Sequence, residues 1–340
     1  MSDSTYIKNY DIGTATLDLP HFFYKHRLDL TSFGDDVIQI PVGFACYSRG
    51  WESGADARIY NQNLFGMIPG MKLTAQKKIL YPTTTSEALL LISGDGSVTE
   101  FLGSGSRYMA TDGSGRSILK AADGTATLTA PNDANVEIYN ADGDISEIRR
   151  KTSPTEETTL VTYGYHPVNS VSRMTRVTRV STVTDLLVRY DTAGRICELI
   201  MQSDVTCSQF WNMTVSYSPG VVLLTLSADA TYVYNFSDGL CVDSVFYSSE
   251  YGSTREKTVT CTRAGDTVTV TYQSTERFQL LSQTAYTCLH YEQPHIGDFF
   301  EIKDRYGVRT RCQYIDRQLA YTYEVPGDET DVDGMFYVMY

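Results

Sequence analysis

From about residue 31 onward, apolar and polar positions alternate with period two. "DDVIQIPVGFACYS" sets Val37, Gln39 and Pro41 against Ile38, Ile40 and Val42. "WNMTVSYSPGVVLLTL" places Trp211, Met213, Val215 and Tyr217 on one face, turns at Ser218-Pro219-Gly220, and resumes with Val222, Leu224 and Leu226. "TVTCTRAGDTVTVTY" repeats the design, with Val259 and Cys261 before a turn at Ala264-Gly265-Asp266 and Val268, Val270 and Tyr272 after it. Threonine fills most of the opposite positions. This is the pattern of half-buried antiparallel strands. Gly94-Asp95-Gly96 joins two such runs in "ALLLISGDGSVTEFL" as a hairpin, and further glycine-rich turns follow in "GSGSR", "TDGSGR" and "AADGTATLTA".

Helical signals are few. The best is "SPTEETTLV", where Ser153 would cap and Pro154 would take the first helical position, though the stretch is short and a loop fits it as well. "IRRK", Ile148 to Lys151, reads as a solvated turn. The pattern therefore predicts an all-β fold, a long curved or spiralling antiparallel sheet of consecutive hairpins with few or no helices. Along the chain it divides into an N-terminal arm or edge strand (1–30), an N-terminal β region (31–150), a hairpin-repeat region (151–323) and an acidic tail (324–340).

Composition agrees. The 25 Tyr and 25 Gly, with abundant Thr, Ser and Val, favour strands and turns. Formal net charge is −13, which disfavours nucleic acid and anionic lipid as partners. The longest apolar runs, "ALLLI" and "VVLLTL", are too short to span a bilayer. The start, "MSDSTYIKNYDIGTATLDLP", lacks the pattern of a signal peptide. The cysteines, at 46, 197, 207, 241, 261, 288 and 312, are odd in number and include no CxxC, so buried thiols are expected, with disulfides open if the chain is exported.

Candidate chemistry is thin. Of the histidines, His290 and His295 flank Glu292 and lie near Asp298 in "LHYEQPHIGD"; a metal or acid–base site is conceivable there, and a polar loop is the favoured reading. His21 and His26 share neither a strand face nor a helical spacing. "GDETDVDGMF" orders Glu329, Asp331, Asp333 and Gly334 like a calcium loop, but Tyr340 stands where the bidentate Glu is needed. No Walker A, GxGxxG or GxSxG pattern occurs in the required context. Arg173, Arg176 and Arg179 in "SRMTRVTRV" would share a helix face; on a strand, the reading that Val and Thr favour, they alternate. No cofactor, metal or catalytic residue is assigned. Paired carboxylates for glycoside cleavage stay open, since they need only meet in space.

One unit recurs. "YDTAGRICEL" has Tyr190, Asp191, Gly194 and Arg195, and "YNADGDISEI" has Tyr139, Asn140 and Gly143 at the same spacing. "YNFSDGLCV" carries Tyr234 and, one residue later than the spacing, Gly239; "KDRYGVRTRC" carries Asp304 and Gly307. The Asx side chain suits a turn cap, and the Gly suits positive φ. Each unit is one hairpin that needs stacked neighbours to bury its face.

"YDTAGRI" resembles the RHS or YD-repeat proteins, whose repeats read roughly Tyr-Asp-x-x-Gly-Arg-Leu. Upstream, "CYSRGW", "LFGMIPG" and "LLISGDGSVTEF" are similar to the segment that precedes the repeats in that family. The resemblance covers about residues 31–323, and only the copy at Tyr190 is close. It implies a spiralling sheet that in large members closes into a shell or forms part of an adhesin; this length suits an arc, a lid or a compact curved sheet.

Three functions follow as expectations. The first is a non-enzymatic structural or interaction protein acting as shell segment, spacer or partner-binding surface. The second is a glycan- or receptor-binding adhesin module, which aromatics clustered in an exposed groove would support. The third is a hydrolase, which needs two carboxylates facing a deep cleft.

Overall fold

The computed structural model describes residues 5–10, 13–18, 23–34, 37–47, 64–81, 88–131, 133–153, 156–182, 184–203, 206, 208–226, 230–237, 240–248, 255–264, 267–274, 279–289, 298–315 and 318–325. Every regular element among them is a strand. Two sheets form. The smaller has five antiparallel strands in chain order, Thr5–Tyr10, Gly13–Asp18, Phe23–Gly34, Gln39–Tyr47 and Met71–Leu73. The larger runs through every strand from Lys78–Leu80 to Gln318–Val325, each antiparallel to its chain neighbour. The succession of hairpins expected from the period-two pattern is what the chain builds.

The long sheet curls. Its first seven strands, Lys78–Leu80 through Asn135–Tyr139, bring the chain round until Lys78 bridges Asp144 in antiparallel fashion. Beyond that contact the ladder continues strand by strand, and among the described pairings none joins Gln318–Val325 back to Lys78–Leu80. The sheet is thus a curled ribbon and not a closed barrel.

The five-stranded sheet packs against the long one. Val42, Phe44 and Leu73 of the small sheet belong to one apolar cluster with Phe101, Tyr139, Leu199 and Leu224 of the long one. Alternation decides which residues enter it. On Gln209–Ser218, Met213 and Val215 are buried while Thr214 and Ser216 face solvent. On the hairpin Arg255–Ala264 and Thr267–Ser274, Val259, Val268, Val270 and Tyr272 are buried.

Two local expectations are corrected. "SPTEETTLV" is not helical: Ser153 ends the strand Ile145–Ser153, and Glu156–Val168 is a strand paired on both sides. A capping signal over less than three turns is marginal by itself, and two ladders outweigh it. "IRRK" lies within Ile145–Ser153 rather than in a turn. In "SRMTRVTRV" the strand reading holds, over Val171–Arg179. There Arg176 Nε donates to Asp185 Oδ1 at 2.8 Å, whereas Arg173 Nη1 and Arg179 Nη1 reach Leu64 O (2.8 Å) and Gly34 O (3.0 Å). Cys46 and Cys312 are buried and Cys197 is half-buried.

Candidate functional site

The repeated unit builds a defined turn. In Asn140–Asp144, Asp191–Arg195 and Asp304–Val308, the first residue accepts at its carbonyl from the Gly N–H (2.9, 2.9 and 3.1 Å). The same residue donates its own N–H to the fifth residue's carbonyl, at 2.9, 2.8 and 3.0 Å. Its side-chain Oδ1 accepts two more backbone N–H groups, two and four residues on, all between 2.8 and 3.0 Å. Gly143, Gly194 and Gly307 have φ of 79°, 74° and 85°, which a Cβ would strain. This is the three-residue hairpin loop, a tight turn closed by a left-handed glycine that bulges the ladder.

Two further turns share the backbone bonds. Ser93–Ser97 and Ala121–Thr125 close in the same way, through Gly96 and Gly124. Their acid sits at the third position, where Asp95 and Asp123 cap Ser97 N and Thr125 N. The sequence pattern keyed on Tyr and a first-position Asx missed both as copies. The signal that finds them is "DG" two residues before a strand.

Arg195 completes the closest copy. Its Nε donates to Asp191 Oδ2 at 2.9 Å, and its guanidinium lies 4.4 Å from the centre of the Tyr217 ring. The Tyr217 hydroxyl donates to Ile196 O at 2.8 Å, and Tyr165 makes the same bond to Ile145 O after the Asn140 turn. A tyrosine on the strand after the exit strand thus clamps the exit of each of these two turns. Burial outweighs the nearby charges and holds the Tyr217 phenol above its ordinary pKa, so it stays a donor. Replacing Asp191 with Ala removes the acceptor for two N–H groups and for Arg195. An expected loss of about 1–2 kcal/mol follows. Asp191→Asn keeps Oδ1 and is expected to lose less than about 1 kcal/mol, both read from urea unfolding midpoints.

Three of the turns grip one segment. Residues 64–79 link the two sheets and form a strap laid across the turn rim. Ile79 N donates to Gly143 O at 2.7 Å, Lys78 Nζ to Asp142 O at 3.1 Å and to Asp144 Oδ1 at 2.8 Å, and Ile145 N to Lys77 O at 3.3 Å. Further along the rim, Ile196 N donates to Gly66 O at 2.6 Å, and Gly66 lies so close to the Tyr190 ring that a Cβ would sit 2.6 Å from it. At the Ser93 turn, Ser93 O accepts from Lys72 Nζ at 2.5 Å. The Asp304 turn is open: among the described residues, apart from its chain neighbours, no atom lies within 4 Å of where a Gly307 Cβ would be, and Tyr306 is 74% exposed. The flanking pairs account for the difference. Ile92 and Val98, Tyr139 and Ile145, and Tyr190 and Ile196 flank the gripping turns, whereas Lys303 and Arg309 flank the open one.

Lys72 is the buried tie in this strap. It is fully buried, bonded also to Gln76 O, with Nζ 4.8 Å from the centre of the Phe65 ring. Burial pushes its pKa well below the ordinary lysine value, only partly opposed by Asp95. Beside it, between the sheets, opens a polar pocket of about 390 Å3 whose walls include Lys77, Asp133, Asn135, Glu137 and Tyr163.

Among the other sequence-derived positions, Tyr234 is fully buried, its ring centre 5.7 Å from that of His26. Gly239, His21, His290, Glu292 and His295, Trp51 of "CYSRGW", and the 327–336 acidic stretch lie outside the described residues. Among the described residues, no helix is long and apolar enough to cross a membrane.

Fold and site define a class: an all-β protein of consecutive antiparallel hairpins, whose glycine turns form a rim that grips an inter-sheet strap. No protein-family model and no curated protein matches the chain. Solved structures similar to it include a chain of the Photorhabdus luminescens Tc holotoxin pore carrying TccC3-D651A, at 10% identity and a TM-score of 0.35, covering 89% of this chain and 19% of that one. A chain of the TcdB2-TccC3-Cdc42 crystal structure is also similar, at 10% identity and a TM-score of 0.28, covering 92% and 19%. The chain spans about a fifth of the length of each.

Proposed function

We propose that this chain is a non-enzymatic structural or interaction protein, a YD-repeat-like curled sheet serving as shell segment, spacer or partner-binding surface. The observation that carries this is how the interior is used. The facing sides of the two sheets are joined in one apolar cluster, and buried side chains of catalytic type in and around it are engaged in structural bonds. Lys72 ties strap to turn, Asp185 holds Arg176 and Thr178, and Glu137 holds Lys77 and Tyr139.

The scaffold reading is favoured over an adhesin by where the aromatics lie. Tyr139, Tyr234, Phe44 and Phe101 are among the largest fully buried side chains, while the exposed Phe210 and Tyr306 sit on separate parts of the ladder. The outward face instead shows an apolar group on adjacent strands, Leu102 opposite Met109, with Leu119 on the next strand. Such a group suits a protein partner. The test is turnover. Chromogenic ester, glycoside and peptide substrates are expected to give no rate above buffer. A glycosidase rate that Glu137→Gln abolishes would overturn the scaffold reading in favour of a hydrolase.

A further inference from the structure

We propose that the pocket between the two sheets binds a small neutral polyhydroxylated molecule, of the size of a single sugar residue. The inference is independent of the scaffold reading, since a bound ligand and a catalysed reaction are measured separately.

The site is built at the junction of the sheets. Arg27 and Pro41 come from the small sheet, Lys77 from the strap, Asp133 and Asn135 from the entry to Asn135–Tyr139, Ile148 and Tyr163 from the next two strands. At about 390 Å3 it falls within the range of roughly 300–1,000 Å3 typical of small-molecule sites, which favour such junctions.

The two cations of the wall are each paired with an acid, and Asp95 and Asp133 add further acids. Lys77 Nζ pairs with Glu137 Oε1, and Arg27 Nε donates to Asp29 Oδ1 at 2.9 Å. That excess of acid disfavours a phosphate or carboxylate ligand. Nor do the acids converge: among the described residues no three potential metal ligands cluster.

What the pocket offers is fixed, directional hydrogen bonding beside apolar wall. Glu137 is held in place by Lys77 at one oxygen and by the Tyr139 hydroxyl at the other, 2.6 Å away. Asp133 Oδ1 accepts Asn135 N at 2.8 Å, which fixes the strand entry. Among the described residues, none donates to the buried Asn135 Oδ1. A half-turn of its amide would present that acceptor to the pocket, where a ligand hydroxyl can satisfy it. Tyr163 stays a neutral phenol, because burial first and the Glu137 charge second oppose its ionisation. Pro41 and Ile148 complete the wall. A ring with a hydroxyl edge and a C–H face meets both kinds of surface; an anion meets neither well.

The experiment is saturation-transfer NMR on the whole chain, with free hexoses and N-acetylhexosamines as probes and inorganic phosphate and ethanolamine as charged comparisons. Transfer from at least one sugar is expected, with affinity about tenfold weaker in both Asn135→Leu and Tyr163→Phe. Tyr163→Phe keeps the ring and its packing, so an unchanged melting temperature shows that the fold is intact. No transfer from any sugar, transfer only from phosphate or ethanolamine, or sugar affinity unchanged in folded Tyr163→Phe would each overturn the proposal.

Discussion

Gly143→Ala is expected to destabilise the protein by about 3–5 kcal/mol, whereas Gly307→Ala, at an almost identical backbone angle, costs only about 1–2 kcal/mol. The φ values are 79° and 85°, so the conformational penalty is shared. The surroundings differ. A Cβ on Gly143 would stand 2.0 Å from Ile79 O, a backbone atom of the strap, while one on Gly307, its chain neighbours apart, meets nothing within 4 Å among the described residues. The strap must therefore move away from the Asn140 turn, which breaks the Ile79 N to Gly143 O bond and disturbs the Lys78 pair with Asp144. Against a total stability of about 5–15 kcal/mol for a typical domain, that is a large share. Urea unfolding measures it: the Gly143→Ala midpoint drops well below that of Gly307→Ala while the slopes agree. Equal losses would mean that the strap does not rest on the turn.

Lys72 gives the second large effect, and its sign depends on the replacement. Lys72→Met removes an ammonium that is costly to bury, but leaves Gln76 O and Ser93 O without the donor that bonds them. Unmade bonds to buried carbonyls cost about 1–3 kcal/mol each. Relief of the burial penalty, the same effect that lowers the lysine's pKa, offsets part of this. A net loss of about 1–3 kcal/mol is expected for Lys72→Met. Lys72→Glu places a carboxylate against two carbonyl oxygens at a fully buried position. A loss of more than about 4 kcal/mol is expected, enough to leave little folded protein. Thermal melts followed by circular dichroism distinguish the two. A stable Lys72→Glu variant would show that this side chain reaches solvent and is not the tie between the sheets.

These effects separate what was legible in the residues from what was not. The alternation of Val and Tyr with Thr in "TVTCTRAGDTVTVTY" gave strands whose buried face is the one it marks, because a pleated strand turns successive side chains to opposite sides. The spacing of Asp191 and Gly194 placed the turn, because an Asx cap and a left-handed glycine are properties of five consecutive residues. The turns at Ser93 and Ala121 were harder to see as copies, since their acid has moved two places while the backbone bonds stayed. The "SPTEETTLV" stretch misled for the opposite reason: a local capping signal was present and the ladders on both sides outweighed it.

The sequence by itself thus determined the all-β class, the inner face of the strands and the position of the turns, because each depends on neighbours a few residues apart. Only the tertiary structure decided that Lys72 is buried, that Gly143 is covered and Gly307 bare, and that Lys77, Asn135, Glu137 and Tyr163 wall one pocket. Those facts depend on how far the sheet curls before it meets its own beginning at Lys78 and Asp144. The curl is the accumulated twist of many strands, and no short stretch of residues encodes that sum.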